Sequence, residues 1–290
     1  MKLGLVIASH GRADILQQAL MRLTSQLRVP DNIIISAVSP ADVPELSHSI
    51  ANLRTVFGSA GLTLQRNRGL SCLIDTVDVI IFIDDDFIVG DDYFRRMESI
   101  FEQEPSIIGV NGHVVADGAN SQGLTIEESF QLLQQYGRRR GPPWLHAIAG
   151  AYGCNMAFRS ASIGSVRFDE RLPLYGWQED SDFCGALRGA GWIVRTNLVW
   201  GVHLGTKRGK GSELRLGYSQ IINPAYIVSK GNMSGVYAFR LAAKNVTANL
   251  VKSIRPERYI DRRGRLLGNL IGIFHLITGR LTPEYILNMK

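Results

Sequence analysis

Two hydrophobic periods alternate along the chain. Leu3-Gly4-Leu5-Val6-Ile7-Ala8 is a continuous apolar run, the pattern of a strand buried on both faces of a parallel sheet. After Asp14, the residues Ile15, Leu16, Ala19, Leu20, Leu23 and Leu27 recur at helical spacing, which predicts an amphipathic helix. Pro30-Asp31 breaks it, and Ile33-Ile34-Ile35 predicts a second strand. This order opens a doubly wound α/β nucleotide-binding fold. Gly61 to Gly69 then leads to a short helix predicted around Leu70 to Asp75, and Val79-Ile80-Ile81-Phe82-Ile83 predicts a further strand.

The later pattern is similar. Asp91 or Asp92 is placed to cap a helix whose Phe94, Met97, Ile100 and Phe101 form one stripe, ended by Pro105. Ile107 to Val115 predicts another strand, and the polar stretch from Gly118 to Gly141 predicts a helix and loop ending in Arg138-Arg139-Arg140. The glycine-rich passage Gly150 to Arg159 brings backbone close to a neighbouring strand or a substrate. Phe183, Ala186, Leu187 and Ala190 share a helical face. Leu266 to Gly279 is mostly apolar but holds Asn269 and His275, and its 14 residues are too few to cross a bilayer. With Arg255, Arg258, Arg262 and Arg263 upstream, this tract suits either the membrane interface or a core helix.

Charge divides the chain more sharply than hydropathy does. Residues 206–290 carry 15 Lys/Arg against 4 Asp/Glu, whereas residues 1–205 carry 17 against 22, so the overall +6 combines an acidic body of −5 with a basic tail of +11. A basic tail implies a polyanionic partner, and an anionic membrane surface is expected over nucleic acid. Cys72, Cys154 and Cys184 are scattered and odd in number, which indicates neither a disulfide framework nor a zinc site and suits a reducing cytosol. The apolar stretch from Leu3 to Ala8 is too short for a signal-peptide core. A cytoplasmic protein, peripheral on the inner membrane face, is the expectation.

Asp84-Asp85-Asp86 follow the Val79 strand, at the carboxyl edge where open α/β sheets bind ligands. On an extended segment Asp84 and Asp86 converge on one cation while Asp85 points elsewhere. Hard oxygen donors suit Mg²⁺ or Mn²⁺ bridging carboxylates to substrate phosphates. An acidic turn that only solvates a strand end is the plainer alternative. A second acidic cluster, Glu179-Asp180-Ser181-Asp182, opens the helix of Phe183, where first-turn acids are commonly capping and dipole partners. The preceding Tyr175-Gly176-Trp177 has the composition of a sugar platform.

The ordered set of motifs in residues 1–205 resembles the inverting family 2 glycosyltransferases of the GT-A fold. Leu5 to Arg12 resembles that family's first strand, with Ser9, His10 and Arg12 at its nucleotide-contacting end. Arg66-Asn67-Arg68-Gly69 resembles the arginine–asparagine segment upstream of the metal motif, and Ile81 to Asp86 resembles the DxD strand. Gly153 to Arg159 resembles the segment lining the sugars, Glu179-Asp180 falls at the acidic pair, and His203 lies where several members complete the metal shell. One departure is Ser36-Ala37-Val38-Ser39-Pro40, which replaces an acidic turn, with Asp42 the nearest acid.

The resemblance implies a Rossmann-like, mixed, mostly parallel sheet flanked by helices, with a C-terminal helical extension. Residues 1–205 would be catalytic, with 1–105 binding nucleotide and 106–205 binding acceptor, and 206–290 would form a lid loop and helices. It implies inverting transfer from a nucleotide-diphosphate sugar, most commonly a UDP-sugar, to a hydroxyl of a glycan or lipid-linked acceptor. Asp86, Asp84 and His203 would hold Mn²⁺ or Mg²⁺, and Arg66, Asp84 and Asp85 would serve the donor. Gly153, Asn155 and Trp177 would contact sugars, Asp180 would be the general base, and Glu179 its runner-up or orienter. In the basic loop Gly205 to Gly211, Lys207 or Arg208 would meet the diphosphate. A sugar-nucleotide nucleotidyltransferase would need a denser glycine-rich basic loop after the first strand than His10-Gly11-Arg12 supplies. A glycan-binding module with a vestigial metal site would not hydrolyse donor.

Overall fold

The computed structural model describes residues 1–206 and 211–289. Its strands are β1 (Leu3–Ser9), β2 (Asn32–Ala37), β3 (Leu53–Phe57), β4 (Val79–Asp84), β5 (Phe87–Val89), β6 (Ile107–Asp117), β7 (Leu145–Ala147), β8 (Asn155–Arg159) and β9 (Trp192–His203). They form one mixed sheet in the order β3-β2-β1-β4-β8-β6-β9-β5, with β7 paired to β9. β3, β2, β1 and β4 run parallel. Their shared register brings Ser9, Ala37 and Asp84 to one carboxyl edge. β8 is antiparallel to both β4 and β6, and β6 returns to parallel against β9.

The helices are α1 (Ala13–Thr24), α2 (Leu62–Leu73), α3 (Tyr93–Gln103), α4 (Ile126–Arg139), α5 (Ser160–Ile163), α6 (Glu179–Ala186), α7 (Glu213–Ser229), α8 (Gly235–Lys252) and α9 (Arg262–Ile277). α1 buries Leu16, Leu20 and Leu23 in the same cluster as Leu3, Leu5 and Ile7 of β1, which is why β1 reads as continuously apolar. The stripe stops short of expectation, because the Ser25 N–H closes the helix on Leu23 and Met21 carbonyls and leaves Leu27 exposed. α3 buries Phe94, Met97, Ile100 and Phe101. Asp92 precedes it with φ 57° and no capping hydrogen bond; its carboxylate is instead 2.6 Å from Arg95.

α2 begins at Leu62, eight residues before the predicted start, so Arg66-Asn67-Arg68-Gly69 lies on a helix. Gly69 is the point of closest approach to β1, where an added Cβ would stand 2.4 Å from Val6 Cγ1. Gln65 Nε2 donates to the Ser9 and Ser36 carbonyls at 2.9 and 2.8 Å, tying the helix to two strand ends. The β6–β9 pairing shifts register between Gly112 and His113 and again between Val114 and Ala116, ending with Asp117 opposite His203.

The chain divides into two compact units, and the boundaries differ from the expected break at residue 206. One unit comprises Met1–Ala60, Leu64–Arg167 and Leu187–Gly209; the other comprises Gly61–Thr63, Phe168–Ala186 and Lys210–Lys290. The 168–186 segment joins the C-terminal helices for physical reasons. Phe168 stacks on Phe183 with centroids 4.1 Å apart, and Lys230 Nζ lies 2.6 Å from both Asp169 and Asp182. The Asn232 amide also donates to Asp182 at 2.8 Å. The core of this second unit gathers Tyr218, Ile222, Ile286 and Met289.

Candidate metal and nucleotide site

Asp84 is the last residue of β4, and Asp85-Asp86 form a turn into β5. The convergence of Asp84 and Asp86 therefore comes from a tight turn, where extended alternation was expected. One oxygen from each of these acids and one nitrogen of His203 lie within 4.8 Å of one another. His203 Nε2 is 3.4 Å from Asp86 Oδ1 and 4.0 Å from Asp84 Oδ2. β9 delivers His203 here because β5 pairs antiparallel with it, Phe87 opposite His203.

Two residues that the sequence patterns do not single out support the histidine. His203 Nδ1 stands 2.8 Å from Asp117 Oδ1, and the Tyr152 hydroxyl donates to Asp117 Oδ2 at 3.1 Å. A carboxylate on the far nitrogen fixes ring orientation and tautomer, the usual arrangement behind a metal-bound imidazole. The only signal for Asp117 in the sequence is its place as the first acid after the Ile107 strand. Burial pulls the His203 pKa down, but hydrogen bonds to Asp117 and Asp86 and the nearby acids carry it up to about 10. Without a cation, both ring nitrogens therefore hold protons between carboxylates at neutral pH. Burial pushes Asp86 up, but His203, Arg12 and the Thr206 N–H outweigh it and hold the carboxyl well below its usual range.

Two oxygen donors and one nitrogen, close together, with Asp86 and His203 buried and Asp84 half-buried, fit a borderline-hard divalent ion. Each acid is also restrained. Arg66 Nη2 reaches Asp84 Oδ1 at 3.0 Å and the Gly153 carbonyl at 2.9 Å, so Gly153 helps hold the metal strand through its backbone. Arg12 Nη1 is 3.3 Å from Asp86 Oδ2, and the Thr206 N–H donates to the same oxygen at 2.8 Å.

Asp85 does point elsewhere. It is fully buried, with Arg12 Nη2 2.7 Å from Oδ1 and the Ser9 hydroxyl donating to Oδ2 at 2.9 Å. Burial pushes its carboxyl up to about 7 against the opposing pull of Arg12. Its expected contact with the donor is thus replaced by an internal one. His10, next to Ser9 in the chain, is exposed. Asp42, the acid left where the family turn departs, accepts from the Gly11 N–H at 2.6 Å and the Ser39 N–H at 2.8 Å, so it braces the end of β1.

Asn155, expected against the sugars, is a second correction. It is wholly buried in β8, opposite Ile83, and accepts from the Tyr93 hydroxyl. Antiparallel pairing with the metal strand turns it into the sheet core. Trp177, Glu179 and Asp180 belong to the second unit. Glu179 is buried at the start of α6, Asp180 is half-buried with its carboxylate accepting the Ser181 N–H at 2.7 Å, and the Trp177 carbonyl accepts from Asn223. Lys207 and Arg208 lie outside the described residues.

No family model matches the chain. Over 99 residues, 34% of the chain, it is 26% identical to the glucosyl-dolichyl phosphate glucuronosyltransferase of Haloferax volcanii, a stretch spanning 31% of that protein. Among solved structures, GalNAc-T7 with UDP, GalNAc and Mn²⁺ superposes with a TM-score of 0.56 at 12% identity, covering 100% of this chain and 56% of that one. S. aureus TarS 1–349 gives 0.56 at 11% identity over 99% of this chain and 89% of that one. Its complex with UDP-GlcNAc gives 0.56 at 12% identity, over 99% and 90%. The chain thus matches about a third of the length of its relative and just over half of GalNAc-T7. These are glycosyltransferases, and the fold is the GT-A arrangement of the two structural neighbours.

Proposed function

We propose that this chain is a metal-dependent glycosyltransferase that moves one sugar, with inversion, from a UDP-sugar to a hydroxyl of a glycan or lipid-linked acceptor. The observation that carries the reading is the Asp84–Asp86–His203 cluster at the carboxyl edge of the parallel strands, with Asp117 behind the imidazole. Fold does not dictate chemistry; a metal-donor set at the ligand-binding edge narrows it. The neighbours' complexes with UDP, UDP-GlcNAc and Mn²⁺ support the donor class and the ion, and the dolichyl-phosphate relative supports a lipid-linked acceptor.

Asp84, Asp86 and His203 would hold Mn²⁺ or Mg²⁺, which when bound offsets the negative charge of the departing diphosphate. The chain's own part is positioning. Arg66 fixes Asp84 against the Gly153 carbonyl, and Arg12 with the Thr206 N–H fixes Asp86. His203 would present Nε2 to the ion, deprotonated, with Nδ1–H held against Asp117. We assign Asp180 as the base that takes the acceptor hydroxyl proton as that oxygen attacks the anomeric carbon and the bond to the diphosphate breaks. This assignment rests on the family resemblance and on a carboxylate that is only half-buried, whereas Glu179 beside it is buried.

Thermal shift with UDP and Mn²⁺, followed by a transfer assay with UDP-sugars, tests the reading. Asp86→Ala should lose Mn²⁺-dependent stabilisation by UDP. Asp180→Asn should keep it and lose transfer. A wild-type protein unmoved by any nucleoside diphosphate with Mn²⁺, or an active Asp180→Asn, overturns the function or the base respectively.

A further inference from the structure

α8 and α9 are packed with their polarity reversed. α9 buries Arg262, Gly268, Asn269, Gly272 and His275, and turns Leu267, Leu270, Phe274 and Ile277 to the outside. α8 buries Ala238 and Asn249 and exposes Val236, Phe239, Leu250 and Val251. A helix in a water-soluble fold places its apolar stripe inward. Here the inner positions are filled by a hydrogen-bonded network. Asn249 Nδ2 donates to Gln220 at 2.9 Å and to Asn269 at 2.8 Å, and Asn269 Nδ2 donates to the Gly217 carbonyl at 2.7 Å. Arg262 Nη1 donates to Asn249 Oδ1 at 3.1 Å, and the Tyr218 hydroxyl lies 2.9 Å from His275 Nδ1. Gly217 and Gly268 let α7 and α9 approach until an added Cβ would meet backbone oxygen at 2.1 Å. Satisfied polar groups and glycine contacts thus hold the inner faces together, and the leucines, valines and phenylalanines face out.

The charge around these outward faces selects what covers them. Arg240 and Lys244 are exposed on α8, Arg255 and Arg258 in the connection to α9, and Arg280 just beyond it. None of these five enters an ion pair among the described residues. Apolar faces beside unpaired cations match an acyl boundary beneath anionic headgroups. A second copy of the chain would set like charge against like charge, and nucleic acid would give the apolar side chains no partner. No described helix is long and apolar enough to cross a membrane. We propose that the outward faces of α8 and α9 lie in the interface of an anionic membrane and hold the protein on it.

Flotation of the full chain with vesicles tests this, using phosphatidylcholine alone and phosphatidylcholine mixed with phosphatidylglycerol. The protein should float with the anionic vesicles, less so at high salt, and stay down with the neutral ones. Leu270→Gln/Phe274→Gln should lower the partition coefficient at least about tenfold, and Arg255→Glu/Arg258→Glu should do the same. Both pairs are exposed, so melting temperatures should match wild type; Val251→Gln, on the other helix, provides an independent variant if one pair fails to fold. Absence of flotation with anionic vesicles, or flotation unaffected by all three changes, overturns the proposal. So does sedimentation that shows a dimer abolished by Leu270→Gln/Phe274→Gln.

Discussion

Replacing Asp85 by alanine separates the structural role of the acidic triplet from its metal-binding role. The side chain is fully buried, with Arg12 at 2.7 Å and the Ser9 hydroxyl at 2.9 Å. Removing one partner of a buried pair costs about 3–5 kcal/mol, because the other charge stays desolvated. Arg12 retains Asp86 at 3.3 Å, and burial already lifts Asp85 to about 7, so part of its charge is absent at neutral pH. Both facts place the expected loss near the lower end, about 3 kcal/mol. At about 2–4 °C per kcal/mol for a large domain, the melting temperature should fall by roughly 6–12 °C. Metal-free thermal and urea unfolding at pH 7 would read it. The double variant Arg12→Met/Asp85→Leu should recover most of the loss, since well-packed apolar groups can replace a buried pair. A single variant within about 0.5 kcal/mol of wild type, or a double variant no better than the single, would refute the argument.

Asp117→Asn should weaken Mn²⁺ affinity by about 10–100-fold in a calorimetric titration while leaving the melting temperature of the metal-free protein within a few degrees; an unchanged affinity would show that His203 needs no carboxylate behind it. Gly69→Ala should cost about 1–3 kcal/mol in urea unfolding, because its Cβ would meet Val6 at 2.4 Å. Burial raises the Asp169 pKa, but hydrogen bonds from Lys230 and Tyr226 outweigh it and lower it beneath 3.8. Stability from this pairing is therefore complete above about pH 4 and lost as pH falls through the lowered value. Lys230 is raised above 10.5, by Asp169 and Asp182 against burial, so its share is lost only above that pH. Lys230→Met should consequently flatten the fall in urea midpoint between pH 5 and pH 3, and parallel curves for the two proteins would contradict the pairing.

What the sequence makes legible follows from how local each signal is. β1, α1 and β4 are readable because burial on both faces, or on one stripe, is written in consecutive side chains, and the three aspartates inherit their place from β4. His203 is readable only through its order relative to other motifs. The start of α2 is not, because the Leu62 N–H is held by the Leu174 carbonyl, 112 positions later, at 2.8 Å. Asn155 is expected at the sugars only through the resemblance of its segment to a family motif, whereas in the fold it pairs with Ile83 of β4 and its side chain is buried, accepting from the Tyr93 hydroxyl. Asp117 is silent because its value depends entirely on the strand that pairs beside it. The C-terminal tract left interface and core open, and α9 explains why: its sequence contains both faces, and only the partners of Asn269 and His275 reveal which one is inside.

The irregular β6–β9 ladder sets a counting constraint on the site. Asn197, Leu198 and Val199 of β9 have no opposite residue in β6, Val115 is extra in β6, and past these irregularities Asp117 falls opposite His203. Side chains alternate faces along a strand, so inserting one residue between Ala116 and Asp117 would turn Asp117 away from the imidazole without changing any residue that touches metal, whereas losing the extra Val115 would leave Ala116 opposite Val202 and Asp117 opposite His203. Substitution at these four positions is therefore a matter of packing, whereas a single residue inserted between the paired positions is a matter of registration. A chimera that grafts a neighbour's loop between these strands would keep its metal site only if the graft preserves the residue count.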